Sequence, residues 1–161
     1  MAASPDTLIQ VRPARGADRA ALNALRDEVT SVLRRIYLPV RGGAPHRRIM
    51  PRFDVLVAWM SGELAGTLEY TLAHETLYLQ GLGVSDRFRG RGVARALINH
   101  VADIARRYPL SHMELCTIRE TGNVPVFEKM GFAVCDERPS TQFVGSAGQG
   151  VSEVIMQRSL N

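Results

Sequence analysis

The chain predicts a mixed α/β (α+β) fold around one sheet, and three patterns carry that prediction. Apolar residues recur at three- and four-residue steps in helix-length segments, the mark of one buried helical face. Short runs rich in branched and aromatic residues lie between Gly, Pro and Ser turn signals and read as strands. Between Leu77 and Ala94 a strand pattern gives way to a helix pattern across a turn rich in Arg and Gly.

Taken in order, Leu8 to Arg12 reads as a short strand closed by Pro13. From Asp18 the apolar positions Leu22, Leu25, Val29, Val32, Leu33 and Ile36 form one face of an amphipathic helix. Pro39, Gly42, Gly43, Pro45 and Pro51 then break regularity, giving a basic connection. Phe53 to Met60, Leu64 to Leu72 and Leu77 to Val84 predict an antiparallel meander, turning at Ser61-Gly62 and at His74-Glu75. Gly81 and Gly83 inside the third strand suggest a bulge or a close backbone approach. Gly92 opens a helix with Val93, Leu97, Ile98, Val101 and Ile104 on its apolar face, ending before Pro109. Met113 to Ile118 is the next strand. Val124 to Met130 is a short helix with Pro125 in its first turn, where a missing N–H costs nothing, and Gly131 closes it. Phe132 to Cys135 and Val151 to Gln157 form a terminal strand pair, joined by a Ser/Gly-rich loop from Ser140 to Gly150.

The 161 residues suit one domain. A composition of 45% hydrophobic and 22% charged residues is ordinary for a globular protein, and no apolar run is long enough to span a membrane. The start of the chain lacks the basic-then-apolar order of a secretion signal, so a cytoplasmic location is expected. Cys116 and Cys135 stand at no metal-ligating spacing; they read as buried thiols, and no metal is expected. Nineteen of the 20 basic residues are arginine. One cluster, Arg34, Arg35, Arg41, Arg47, Arg48 and Arg52, reads as a solvated face. The other, Arg87, Arg89, Arg91 and Arg95, reads as attractive to phosphate. A nucleic-acid partner is not expected.

The chemistry concentrates in Leu82-Gly83-Val84-Ser85-Asp86-Arg87-Phe88-Arg89-Gly90-Arg91-Gly92-Val93-Ala94. Glycines let backbone approach a ligand closely, and the first N–H groups of a helix have no internal partner. Those amides and the positive helix end make an anion site suited to a diphosphate. A dinucleotide-binding turn fits poorly. The position where it needs a third small residue holds Arg95, and an antiparallel meander, not a parallel βαβ unit, precedes the turn.

This segment resembles the GNAT superfamily of acetyl-CoA-dependent acyltransferases. The family signature (Gln/Arg)-x-x-Gly-x-(Gly/Ala) is matched by Arg89-x-x-Gly92-x-Ala94. A second family segment is matched by Asn123-Val124-Pro125-Val126-Phe127-Glu128-Lys129-Met130-Gly131-Phe132. The resemblance implies a GNAT-like three-layer fold with a mostly antiparallel, twisted sheet splayed at the cofactor site and helices on both faces. It implies acetyl transfer from acetyl-CoA to a small-molecule or peptide amine. Amides of Arg89, Gly90, Arg91, Gly92, Val93 and Ala94 would hold the diphosphate, and the backbone of Leu82, Gly83 and Val84 would pair with the pantetheine arm. Asn123 would bond the pantetheine or cap its helix, and Lys129 would reach the 3′-phosphate or favour its helix end. Homodimerisation is left open.

The departures bear on catalysis. Where many members carry a tyrosine beside the sulfur, this chain has Phe127, which donates no proton. Any acid must then be water, Cys116, or a tyrosine elsewhere. The general-base candidates are Glu69, His74 and Glu75, each useful only where the strands place it within reach. Direct attack by a neutral amine, helped mainly by positioning and by amides polarising the thioester carbonyl, needs none of them. A CoA-binding module without turnover is the alternative reading.

Overall fold

In the computed structural model, which describes residues 8–42 and 52–161, one sheet organises the chain. Its strands are β1 (Gln10–Pro13), β2 (Tyr37–Pro39), β3 (Asp54–Met60), β4 (Glu63–Ala73), β5 (Thr76–Val84), β6 (His112–Ile118), β7 (Ala133–Gly145) and β8 (Gly150–Ser159), and its helices are α1 (Arg19–Leu33), α2 (Val93–Ala105) and α3 (Val124–Lys129). The strand order is β1-β3-β4-β5-β6-β8-β7-β2. Every neighbouring pair is antiparallel except β5–β6. The expected meander is β3–β4–β5.

Two glycines show how the layers stack. A Cβ on Gly66 of β4 would stand 2.7 Å from Val93 Cγ1 of α2, and one on Gly83 of β5 would stand 2.9 Å from Val29 Cγ2 of α1. Gly66 pairs with Val84 and its neighbour Thr67 with Gly83. Successive strand residues point to opposite faces, so α1 and α2 cover opposite sides of the same strands. Leu56, Leu68, Leu77, Leu97, Ile98, Met113 and Met156 fill the core on the α2 side.

At its N-terminus α1 is tied to β1. Asp18 accepts both guanidinium nitrogens of Arg12, at 2.7 and 2.9 Å, and the Arg15 amide at 2.7 Å. The helix ends at Leu33, one turn before the expected Ile36, because Tyr37–Pro39 pairs with Phe143–Gly145 as a strand. The stretch expected as a loop from Ser140 to Gly150 is corrected in part: only Ser146 to Gln149 turn between strands. β7 runs on to Gly145, with an irregularity between Pro139 and Val144 where Ser140 Oγ accepts the amides of Gln142 and Phe143. Small polar residues mimic a loop, yet β8 and β2 hold the segment extended. The expectation of buried thiols is corrected as well: Cys116 on β6 is half-buried and Cys135 on β7 is exposed, with no disulfide between them. Cys135 stands where β7 shifts register on β8, between Val134 and Asp136, on a stretch whose residues are exposed from Ala133 to Glu137. The basic connection falls partly outside the described residues, including Gly43, Pro45, Arg47, Arg48 and Pro51. Among the described residues no helix is long and apolar enough to cross a membrane, and no group of three or more His, Cys, Asp or Glu is placed to hold a metal.

Candidate active site

The site begins where the sheet opens. β5 and β6 pair only through Thr76↔His112, Leu77↔Met113 and Tyr78↔Glu114, whereas β6 stays paired with β8 as far as Ile118↔Glu153. Beyond Tyr78 the two central strands part. The departing stretch of β5 carries an irregularity: Glu69 faces Gln80 and Thr67 faces Gly83, so Leu68 alone opposes Gly81 and Leu82. This is a β-bulge, which bends the strand that carries the extra residue. Gly81 takes φ +63°, a conformation glycine adopts readily and other residues rarely do.

A cavity of about 1250 Å³ occupies the gap and runs to the N-terminus of α2. Leu82, Gly83, Val84, Arg89, Gly90, Gly92, Val93, Ala94, Asn123, Phe127 and Lys129 all line it. Arg91 does not; its guanidinium lies 5.8 Å from the centroid of the Phe88 ring. Gly90 and Gly92 hold φ of +75° and +84°, and a Cβ at either would meet nothing within 4 Å. Backbone conformation, not crowding, therefore calls for glycine here. Ala96 is the amide that bonds back to Gly92 O, at 2.9 Å, so the helix amides before it have no helical acceptor. Arg89 is paired with Asp86 at 2.9 Å and Arg87 with Glu63 at 2.9 Å, both exposed, while Arg95 donates to the Lys129 carbonyl at 3.2 Å.

Asn123 makes no capping hydrogen bond through its side chain. Phe127 packs edge-to-face on Phe132, with centroids 6.0 Å apart. Glu69 does not line the cavity. Its two oxygens accept from Arg26 Nη2 and Gln80 Nε2, each at 2.7 Å. His74 and Glu75 form the β4–β5 turn, and the Glu75 carbonyl accepts the Ser111 amide at 2.9 Å. That turn lies at the end of β5 opposite Val84, on the side where β5 and β6 are still paired. Neither His74 nor Glu75 lines the cavity.

Several lining residues escaped the sequence reading. Tyr37, Phe143 and Gln142 come from the β2–β7 pairing, and Val29, Val32 and Leu33 from α1. Tyr37 sits edge-to-face on Phe143 at 4.9 Å, with the Arg34 guanidinium 5.3 Å from its ring centroid. Burial pushes its phenol above the usual tyrosine range against the opposing effect of Arg34. It stays protonated and can donate a hydrogen bond. Tyr78, Cys116 and Thr117 add further donors to the wall. A β2 of three residues ending in proline left almost no signal to find.

A three-layer fold whose sheet parts beside the glycine-led start of a helix is shared with solved acetyltransferases. It superposes on a GCN5-related N-acetyltransferase from Kribbella flavida with a TM-score of 0.72, at 22% identity, over 97% of this chain and 99% of that one. An acetyltransferase of the GNAT family from Streptococcus pneumoniae matches with a TM-score of 0.71, at 16% identity, over 94% and 99%. In sequence, the chain is 31% identical over 98 residues to the streptothricin acetyltransferase of Streptomyces lavendulae. That alignment takes in 59% of this chain and 51% of the relative, so it spans about half the relative's length. The family model of the Acetyltransferase (GNAT) family matches residues 20–132. The chain belongs to that family.

Proposed function

We propose that the protein transfers the acetyl group of acetyl-CoA to a primary amine, and that the cavity between β5 and β6 is where this happens. The observation that carries the reading is the cavity's continuity: one space joins the unpartnered amides at the start of α2 to the gap between the strands. The diphosphate would lie on the amides around Gly90–Ala94, where the helix dipole favours negative charge. The pantetheine arm would run along Leu82–Val84, whose backbone lacks a β6 partner. Lys129 and Arg95 supply cations near that end.

The reaction follows from positioning. A neutral amine attacks the thioester carbonyl; the C–N bond forms, the C–S bond breaks, the nitrogen loses a proton and the thiolate gains one. Phe127 cannot give that proton; Tyr37, Tyr78, Cys116 and Thr117 carry donors on the wall of the cavity, and a solvent water would be a further source. Holding the amine against the thioester supplies most of the acceleration such a site needs. The name of the streptothricin acetyltransferase supports a small-molecule amine as acceptor.

Calorimetry with acetyl-CoA, followed by thiol release against a panel of amines, tests the reading. Tight binding with amine-dependent thiol release is expected. Binding without release for any amine would point to a CoA-binding module, and absence of binding would remove the proposal.

A further inference from the structure

One carboxylate beside the bulge is engaged in a way that gives it a different task from proton abstraction. Glu69 is mostly buried, and each of its oxygens accepts a 2.7 Å hydrogen bond: one from Arg26 of α1, the other from Gln80 of β5. Gln80 is the residue immediately before the bulge at Gly81–Leu82, and Glu69 is its register partner. The Glu69 side chain also lies against Gly81, where a Cβ would stand 3.6 Å from Glu69 Cδ.

The far side of the bulge is held from the same helix. Glu28 Oε1 accepts from Ser85 Oγ at 3.2 Å and from the Asp86 amide at 3.3 Å, directly after β5 ends. Between these two points Val29 seats on Gly83. One helix is therefore linked to the departing stretch of β5 at three points: through Glu69 at Gln80, at Gly83, and at Ser85–Asp86 just past its end. An extended strand leaving its neighbour gives up ladder hydrogen bonds, so some other contact must hold it apart.

From this we infer that Arg26, Glu69 and Gln80 are positioning residues: they fix the bulge that keeps β5 away from β6 and so keep the thioester gap open. Glu69 is then no general base, because a base must present a lone pair to the incoming amine, and here both oxygens face protein donors. The inference rests on the proposal that this gap holds the pantetheine of acetyl-CoA.

Acetyl-CoA affinity, measured by calorimetry on variants whose folding is checked by circular dichroism and melting, tests it. Arg26→Met and Glu69→Gln are each expected to weaken binding by about five- to tenfold. The double variant should be no weaker than the worse single, since both remove one contact. Arg26→Lys should recover part of the loss. Gln80→Ala serves as a second, more exposed probe with a smaller effect in the same direction. Affinities within about twofold of the unmodified protein in all variants would overturn the inference while leaving the cofactor site standing. So would a Glu69→Gln protein with unchanged affinity and turnover lowered a hundredfold, beside a normal Arg26→Met protein; that pattern would make Glu69 a base. No acetyl-CoA binding by the unmodified protein would overturn both readings.

Discussion

The two ends of the cavity are built in different ways. At the α2 end most of the lining comes from one short stretch of chain, Leu82 to Val84 and Phe88 to Arg95 without Arg91, where Gly90 and Gly92 leave the backbone uncovered. The rest of the wall comes from Tyr37 on β2, Phe53 before β3, Glu114 and Cys116 on β6, Phe143 on β7 and the apolar row of α1, whose Val29 sits against Gly83. Side chains form the surface there, drawn from elements scattered along the sequence. A diphosphate is met by amides, whose placement depends on φ and ψ; an amine acceptor is met by side chains, whose placement depends on the tertiary fold. The first kind of site leaves glycines at fixed spacing, and the second leaves no local trace.

The largest effect is expected at the backbone end. Gly92 has φ +84° and open space around it, so Gly92→Ala tests conformation alone, at roughly 1–2 kcal/mol. Gly92→Asp adds a negative charge where the diphosphate would lie. Acetyl-CoA affinity should fall by tenfold or more, about 1.4 kcal/mol. If calorimetry gave Gly92→Asp the same affinity as the unmodified protein, the α2 end would not be an anion site and the contrast would collapse.

An intermediate effect is expected at the side-chain end. Tyr37→Ala removes a ring that packs on Phe143 at 4.9 Å and faces the cavity. An aromatic pair is worth about 0.5–1.5 kcal/mol beyond its buried area. The acceptor KM should rise several-fold while acetyl-CoA affinity stays within about twofold. A loss of acetyl-CoA affinity as large as that of Gly92→Asp would mean that the two ends are not separable.

The same contrast explains what the sequence disclosed. The meander, α2 and the glycine turn were legible because periodicity and φ-specific residues write them locally. Gly90, Gly92 and the strand before them mark the turn, and the apolar spacing of Val93, Leu97 and Ile98 marks the helix that follows. The extension of β7 through Ser140–Gly145 was not legible, since Ser, Thr and Gly read as a loop until β2 pairs with them. Arg26 and Glu28 lie on the polar side of an amphipathic helix, where a residue that grips β5 looks the same as one that meets only water. Glu69, His74 and Glu75 were equivalent as candidates in sequence, and only the register of β4 on β5 separates one at the bulge from two at the far turn.

Phe127 lines the same cavity from α3, and a small effect is expected there. Its ring lines the cavity and packs on Phe132 at 6.0 Å. Phe127→Tyr adds only a hydroxyl, which in the gap would be one more donor for the departing thiolate. Turnover at neutral pH should be kept or raised, with acetyl-CoA affinity unchanged. A large loss of turnover with affinity intact would show that the position shapes an apolar acceptor wall instead.

The smallest effect on either end is expected from Asp18, which lies outside the cavity yet holds the helix that serves both. Its carboxylate takes hydrogen bonds from Arg12 and from the Arg15 amide, and these contacts, Arg12 first, bring its pKa down from 3.8 to about 2. A carboxylate with a depressed pKa in the folded state stabilises the fold above its unfolded pKa, and that contribution is lost as pH falls through the folded value. Asp18→Asn keeps the shape of the side chain but removes the charge, so it should melt at a lower temperature than the unmodified protein at pH 5 to 7. The gap between the two melting temperatures should narrow as pH drops from about 4 toward about 2, where the unmodified protein also becomes protonated at this position. Acetyl-CoA affinity at pH 7, measured well below both melting temperatures, should be the same in the two proteins. A melting difference that did not change with pH would mean that shape, not charge, anchors α1 to β1. An affinity loss comparable to that of Arg26→Met would mean that the grip of α1 on β5 depends on how the whole helix is seated and not on its local contacts at the bulge.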